Sequence, residues 1–213
     1  MAPRVHRPGQ PGDLSRPRRL WARAATLGLL AGAGIGADTY EVSEDRLDCT
    51  HPGGSYWWTL TLHGPGRAVF RGQDADGSHG HRRAEPVDFL AGAPAWLPLG
   101  DLRPRQAAGE LGYVYWCDDD TWSRAPYPDD LPDDGLELSA GWVGDDAEVA
   151  EELWDVAGGG DDASATVLAF LDRAATGAVD HEAIRTLLAA FTPKEPPSLD
   201  AALAFARRAG LAG

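Results

Sequence analysis

The sequence is poor in cysteine, the residue from which disulfide frameworks are built. It contains two cysteines, Cys49 and Cys117, in 213 residues. Two thiols so far apart in sequence exclude the dense disulfide framework of a small secreted domain. They fit a reducing compartment as well as a single bridge, so the sequence leaves their redox state open.

Lysine and asparagine are nearly absent as well. Lys194 is the only lysine, and there is no asparagine. Together with many alanines, glycines, arginines and aspartates, this bias is typical of GC-rich bacterial coding. Because codon bias places some of these residues, composition alone says little about function. Eight tryptophans and 43% hydrophobic residues still predict a folded, soluble protein with a sizeable core.

No apolar run is long enough to span a bilayer comfortably, so we expect no stable membrane span. The longest candidate, residues 20–37, contains four glycines and follows a basic stretch. One interpretation is an amphipathic helix with Leu20, Ala24 and Leu27 on one face, in a cytoplasmic protein. The alternative is a secretory signal that ends near Ala37, or residues added by an upstream start codon.

The net charge of −14 is unevenly distributed. Residues 1–34 contain six arginines and one aspartate, so they sum to +5 and the remainder to −19. Residues 1–19, rich in Pro, Gly and Arg, are predicted to be a disordered basic arm. The acidic remainder repels phosphate backbones and attracts basic protein surfaces, or serves solubility alone, so we expect no nucleic-acid partner.

Hydrophobic periodicity predicts an α+β fold within residues 38–213. Period-two patterns over about residues 39–143 predict a small, mostly antiparallel sheet. The predicted strands are a short one within 39–49, then 56–63, 67–72, 111–117 and 136–143. The period then changes to that of helices, which are expected within 145–209, with Asp180 and Ser198 as helix N-caps. A sheet followed by helices argues against a βαβ array.

Catalytic and nucleotide-binding signatures are missing. Ser139 lacks the first glycine of a nucleophile elbow, and His181-Glu182 lacks the second histidine of a zinc-protease helix. The glycines of residues 32–36 end an apolar segment, whereas a phosphate loop must follow a strand. The sequence therefore assigns no catalytic residue and no cofactor, and whether the protein is an enzyme stays open.

One polar loop combines carboxylates with imidazoles. Asp74, Asp76, His79 and His81 lie close together just after a predicted strand. They could hold a metal ion, or an Asp–His pair could serve a hydrolase. The calcium-loop pattern fails because Arg83 stands where a bidentate Glu is needed. The simpler interpretation is a polar turn.

The segment 113–134 mixes aromatic rings with seven aspartates and three prolines. Such a segment suits a cationic ligand or an Arg-rich protein surface. The alternative is a solvated acidic loop. The sequence thus predicts a non-catalytic interaction module, similar in kind to antitoxins or immunity-type inhibitors, that binds a basic protein. The candidate binding residues are Asp118, Asp119, Asp120, Trp122, Tyr127, Asp129 and Asp130.

Overall fold

The structure is a computed structural model of the chain, and it describes residues 5–157 and 163–212. Those residues have an α+β fold, which confirms the predicted class. The strands are β1 (Thr39–Val42), β2 (Arg46–Thr50), β3 (Tyr56–Leu62), β4 (Ala68–Asp74), β5 (Tyr113–Asp118) and β6 (Thr121–Arg124). The α-helices are α1 (Pro17–Gly32), α2 (Leu99–Ala107), α3 (Leu136–Ala140), α4 (Asp146–Ala157), α5 (Ala163–Ala175), α6 (His181–Ala189) and α7 (Leu199–Arg208).

Residue contacts divide the chain into two compact units. Unit 1 consists of Met1–Pro17 and Gly53–Gly144, and unit 2 of Arg18–Pro52 and Asp145–Gly213. This division differs from the predicted boundaries, since the β1–β2 hairpin groups with the C-terminal helices.

Unit 1 is built on the antiparallel neighbours β3, β4, β5 and β6. Trp57 and Trp58 point to opposite faces, as their adjacency on a strand requires. Trp57 packs against an apolar cluster that includes Phe89 and Val114. On the other face, the rings of Trp58 and Trp142 lie 5.2 Å apart between centroids. Both faces of this sheet are therefore covered by side chains of unit 1 itself.

The segment 136–143 is not the predicted strand. It forms α3 followed by a short 3-10 helix. Asp134 accepts a hydrogen bond from the backbone N–H of Leu136 at 3.2 Å, and Gly135 takes a positive φ of 90°. Tertiary contacts of this segment outweigh the strand-like alternation of its sequence.

Residues 5–16 pack as part of unit 1, whereas the sequence predicted a disordered arm. Val5 and Leu14 are buried. Asp13 accepts hydrogen bonds from the backbone N–H groups of His6 and Gln10 at 3.0 and 2.7 Å. A few buried contacts of this kind can order a segment whose composition alone predicts disorder.

In unit 2, helix α1 is buried on nearly all sides between residues 20 and 30. Leu20, Ala24 and Leu27 are buried as predicted, but so is Arg23, whose Nε donates to Asp146 Oδ1 at 2.6 Å. The helix ends at Gly32, whereas the apolar run considered for it extends to residue 37. None of the described helices is long and apolar enough to cross a membrane.

The helices at the C-terminal end of unit 2 match the prediction closely. Asp180 caps α6 by accepting from the backbone N–H of Ala183 at 2.7 Å. Ser198 caps α7 in the same way, accepting from Ala201 at 3.3 Å. Local polar signals of this type act within one turn, so they can be identified from sequence.

Candidate functional site

Two hairpin turns lie side by side at one end of the unit 1 sheet. The β3–β4 turn covers residues 63–67, and the β5–β6 turn covers residues 118–121. The backbone N–H of Asp120 donates to the carbonyl of Gly66 at 3.2 Å, so the two turns are in contact. We call the side chains displayed here the hairpin-end surface. Its members are His63, Arg67, Trp96, Asp118, Asp119 and Asp120.

The β5–β6 turn has an unusual backbone. Its central residues, Asp119 and Asp120, have φ angles of 52° and 58°. Two successive left-handed residues characterise the type I′ turn, which connects antiparallel strands well but favours Asn-Gly. Aspartate tolerates this conformation at an energetic cost. The turn therefore carries two charged residues where uncharged ones would be more stable.

Trp96 forms the aromatic part of the hairpin-end surface. Its half-buried ring lies 5.6 Å from the imidazole of His63 and 5.4 Å from the guanidinium carbon of Arg67. Its indole N–H points toward Asp118 Oδ2 at 3.4 Å. Arg67 also donates to Asp118 Oδ1 at 2.9 Å, and this hydrogen bond lowers the pKa of Asp118 below its ordinary value. Asp118 is thus paired within the chain.

The next two carboxylates differ from Asp118. Asp119 and Asp120 are exposed, and neither forms an ion pair with any residue that the structure describes. They stand at the tip of the hairpin and directly follow Asp118, whose carboxylate contacts Trp96. Carboxylates next to an indole can bind a guanidinium or ammonium group by charge-assisted hydrogen bonds and cation–π contact.

The remaining predicted acidic residues lie in a different loop. Asp129 and Asp130 are exposed, and Asp130 accepts from Arg83 Nη2 at 2.7 Å. Among the described residues, neither forms a hydrogen bond or an ion pair with a member of the hairpin-end surface.

The two predicted aromatic binding residues are engaged inside unit 1. Trp122 is 7% exposed, and its indole N–H donates to the carbonyl of Ser15 at 2.8 Å. Tyr127 is half-buried beneath the guanidinium of Arg124, which lies 3.7 Å from its ring centroid. These rings support the loop and are not presented to a partner. Trp96 on the hairpin-end surface is likewise half-buried and packs against the same apolar cluster as Trp57.

A buried polar cluster around Asp134 was not predicted. Asp134 is fully buried. It accepts hydrogen bonds from the N–H groups of Gly9 and Leu136 at 3.0 and 3.2 Å and from the hydroxyls of Tyr115 and Tyr127 at 2.8 and 3.1 Å. Burial raises the pKa of Asp134, and the four donors oppose that rise. The cluster joins three separate segments of unit 1, which is a structural role.

The candidate metal ligands do not converge. Asp74 is buried, and its Oδ1 accepts from the backbone N–H groups of Asp76 and Gly77 at 2.9 and 2.7 Å. The Nδ1 of His79 lies 2.8 Å from the Gly77 carbonyl. Across the described parts of the chain, no group of three or more His, Cys, Asp and Glu side chains is placed to hold a metal ion. Asp74 therefore supports a turn, as the simpler interpretation of this loop expects.

Comparison with known proteins gives no relative from which a function could be inferred. No family model, no curated protein and no solved structure matches this chain. The function has to be argued from the geometry of the chain itself.

Proposed function

We propose that this chain is a non-catalytic protein-interaction module that binds a basic protein through the hairpin-end surface. The observation that carries the proposal is the exposed pair Asp119 and Asp120, which form no ion pair among the described residues and directly follow Asp118, the residue that contacts Trp96. An aromatic ring beside free carboxylates matches an arginine side chain of a partner in both charge and shape.

The charge of the whole chain supports the same conclusion. A net charge of −14 produces a negative field that attracts a basic partner and accelerates encounter with it. The same field opposes binding to nucleic acid, so we propose none.

The strained turn also supports a functional role. Two left-handed aspartates cost stability that Asn-Gly would not. The two aspartates keep their charges despite this cost in stability, as expected of a surface that is selected for binding. An inhibitor of antitoxin or immunity type, which blocks a basic protein, is the kind of module that uses such a surface.

We further propose that the module acts in the cytoplasm. Both cysteines are free and buried in the structure, which suits a reducing compartment. The alternative, secretion through a signal that ends near Ala37, predicts a mature chain that starts near Asp38. N-terminal sequencing of the protein from its source cells distinguishes the two.

The test replaces Asp119 with Asn and Asp120 with Gly in one variant. This change removes two charges and supplies the residues that the turn geometry prefers, so the fold is retained. Immobilised wild type and variant are incubated with lysate of the source cells, washed across a salt series and compared by mass spectrometry. We expect a basic protein that wild type retains at low salt, releases at high salt and that the variant loses.

The β1–β2 turn offers a matched control. Glu44→Gln with Asp45→Asn removes the same charge from another exposed hairpin turn. Asp129→Asn with Asp130→Asn tests the other acidic loop. If no basic protein is retained, or if the hairpin variant retains the same protein as the controls, the proposal fails.

A further inference from the structure

A cavity of about 320 Å³ lies in unit 1 between helix α2 and the loop that precedes it. Its volume falls at the lower end of the range for small-molecule sites. Phe89, Val87 and Leu111 form an apolar part of its wall. The polar side chains that line it are His81, Asp88, Arg103 and Gln106.

Gln106 presents an unsatisfied acceptor. Its Nε2 donates to Asp88 Oδ1 at 2.9 Å. Because a carboxylate can only accept, this contact fixes the orientation of the amide, and Oε1 must be the acceptor end. Oε1 is buried and has no hydrogen-bond partner among the described residues. A buried acceptor without a donor costs free energy, which a ligand donor at this cavity would recover.

His81 presents a second orphaned atom at the same cavity. Its Nδ1 is buried and has no partner in the described part of the chain. Burial lowers the pKa of His81 below its ordinary value, with Arg82 and His79 as further causes. The imidazole is therefore neutral at physiological pH. With the proton on Nε2, Nδ1 is an acceptor. Like Gln106 Oε1, it then requires a hydrogen-bond donor.

Two opposite charges complete the lining. Asp88 Oδ1 accepts from Gln106 and from the backbone N–H of Leu90, whereas Oδ2 has no partner among the described residues. Arg103 is exposed and forms no ion pair with any described residue. One cavity thus combines buried acceptors, an anion and an unpaired cation.

A second groove, in the described part of unit 2, lacks the unsatisfied polar atoms of the cavity beside α2. A space of about 430 Å³ between α5 and α6 is lined by Ala165, Ala169 and Phe170. Two of its charged residues, Arg173 and Asp180, pair with each other at 3.0 Å, and the third, Glu182, pairs with Arg185 at 3.3 Å. No orphaned buried polar atom among the described residues belongs to it.

We propose that the cavity beside α2 binds a small zwitterion of amino-acid size that bears a primary amine and a carboxylate. The amine donates to Gln106 Oε1, Asp88 and His81 Nδ1. Arg103 binds the carboxylate, for which its planar fork is suited. Phe89 and Leu111 contact the apolar part of the ligand.

The experiment measures binding to the full chain by isothermal titration calorimetry. The probes are the twenty common amino acids with β-alanine and 4-aminobutyrate. We expect at least one probe to bind at millimolar concentration. Its N-acetyl and methyl-ester derivatives, which block the amine and the carboxylate in turn, should each bind about tenfold more weakly. If no probe binds, or if both blocked forms bind as well as the parent, the proposal is overturned.

Two variants locate the site. Gln106→Met keeps the volume of the side chain and should weaken the parent probe about tenfold. Arg103→Gln changes an exposed side chain and should weaken the free acid while leaving the methyl ester unchanged. Arg185→Gln removes the same charge from exposed residue 185 on α6 and serves as the control. Equal binding by all three variants would contradict the assignment of the cavity.

Discussion

Glu152 on α4 should make the stability of the protein fall as pH rises. Burial raises the pKa of this carboxyl to about 7, and repulsion from Asp38 and Glu148 adds to the shift. In the unfolded chain the same carboxyl has its ordinary pKa of about 4.5. Between these values the folded state binds more protons than the unfolded state, so the free energy of unfolding decreases as pH rises. The decrease reaches its full value above about pH 7.

The interval from 4.5 to about 7 sets the magnitude. At about 1.36 kcal/mol per pH unit, it gives an upper limit of about 3 kcal/mol. The Glu152 side chain keeps partial contact with solvent, which reduces the cost, so about 1–3 kcal/mol is expected. Glu152→Gln removes the ionisation and should raise the free energy of unfolding by that amount at pH 8. At pH 5 the gain should be at most half as large.

Urea unfolding of wild type and Glu152→Gln at both pH values measures the difference. Glu195→Gln removes an exposed carboxylate of the same unit and should change stability little at either pH. A gain at pH 5 equal to that at pH 8, or an equal gain in the control, would refute the reasoning.

Three further substitutions test the packing of each unit in urea titrations. Asp134→Ala removes the acceptor of four buried hydrogen bonds and should cost about 3 kcal/mol or more, so a loss below about 1 kcal/mol would contradict its structural role. Asp146→Ala removes the carboxylate that pairs with both the buried Arg23 and Arg19 and should cost about 3–5 kcal/mol, part of which Arg23→Met should restore in the double variant, whereas a loss below about 1 kcal/mol would contradict the buried ion pair. Gly112→Ala places a Cβ against Ser78 Oγ and 2.9 Å from the backbone carbonyl oxygen of Asp134 and should cost about 1–3 kcal/mol, whereas an unchanged stability would contradict this close packing.

The elements that follow from local signals could be predicted from the sequence. The bounds of α5 and the caps of α6 and α7 depend on residues within one helical turn. The β3–β4 hairpin has aromatic, β-branched strands and a Gly-Pro-Gly turn. In each case the residues that decide the structure are neighbours in sequence.

Elements that depend on tertiary contacts could not be predicted. Helix α2 contains Pro104, and proline normally disrupts the interior of a helix. The sequence pattern therefore predicted no helix at this position. The segment predicted as a strand at 136–143 forms α3, and it follows Asp134, which accepts from Leu136 and is held by Tyr115 and Gly9. Nothing near residue 136 in sequence reveals those two distant partners.

The candidate site was predicted only in part. Three successive aspartates in a predicted loop could be expected at the surface, and Asp119 and Asp120 are there. The inward direction of Trp122 follows from its pairing with Cys117 across the β5–β6 hairpin, which the sequence did not specify. Trp96 and Asp118 are 22 residues apart in sequence, so only the tertiary fold brings them together.

Equilibrium binding of the basic partner to the hairpin variant is the most direct test of the central claim. The dissociation constant is measured across a series of ionic strengths for wild type, for Asp119→Asn with Asp120→Gly, and for the Glu44→Gln, Asp45→Asn control. We predict that the hairpin variant unfolds at higher urea than wild type, yet binds about tenfold or more weakly at low salt and with a smaller salt dependence. Equal affinity and equal salt dependence in all three proteins would contradict the account.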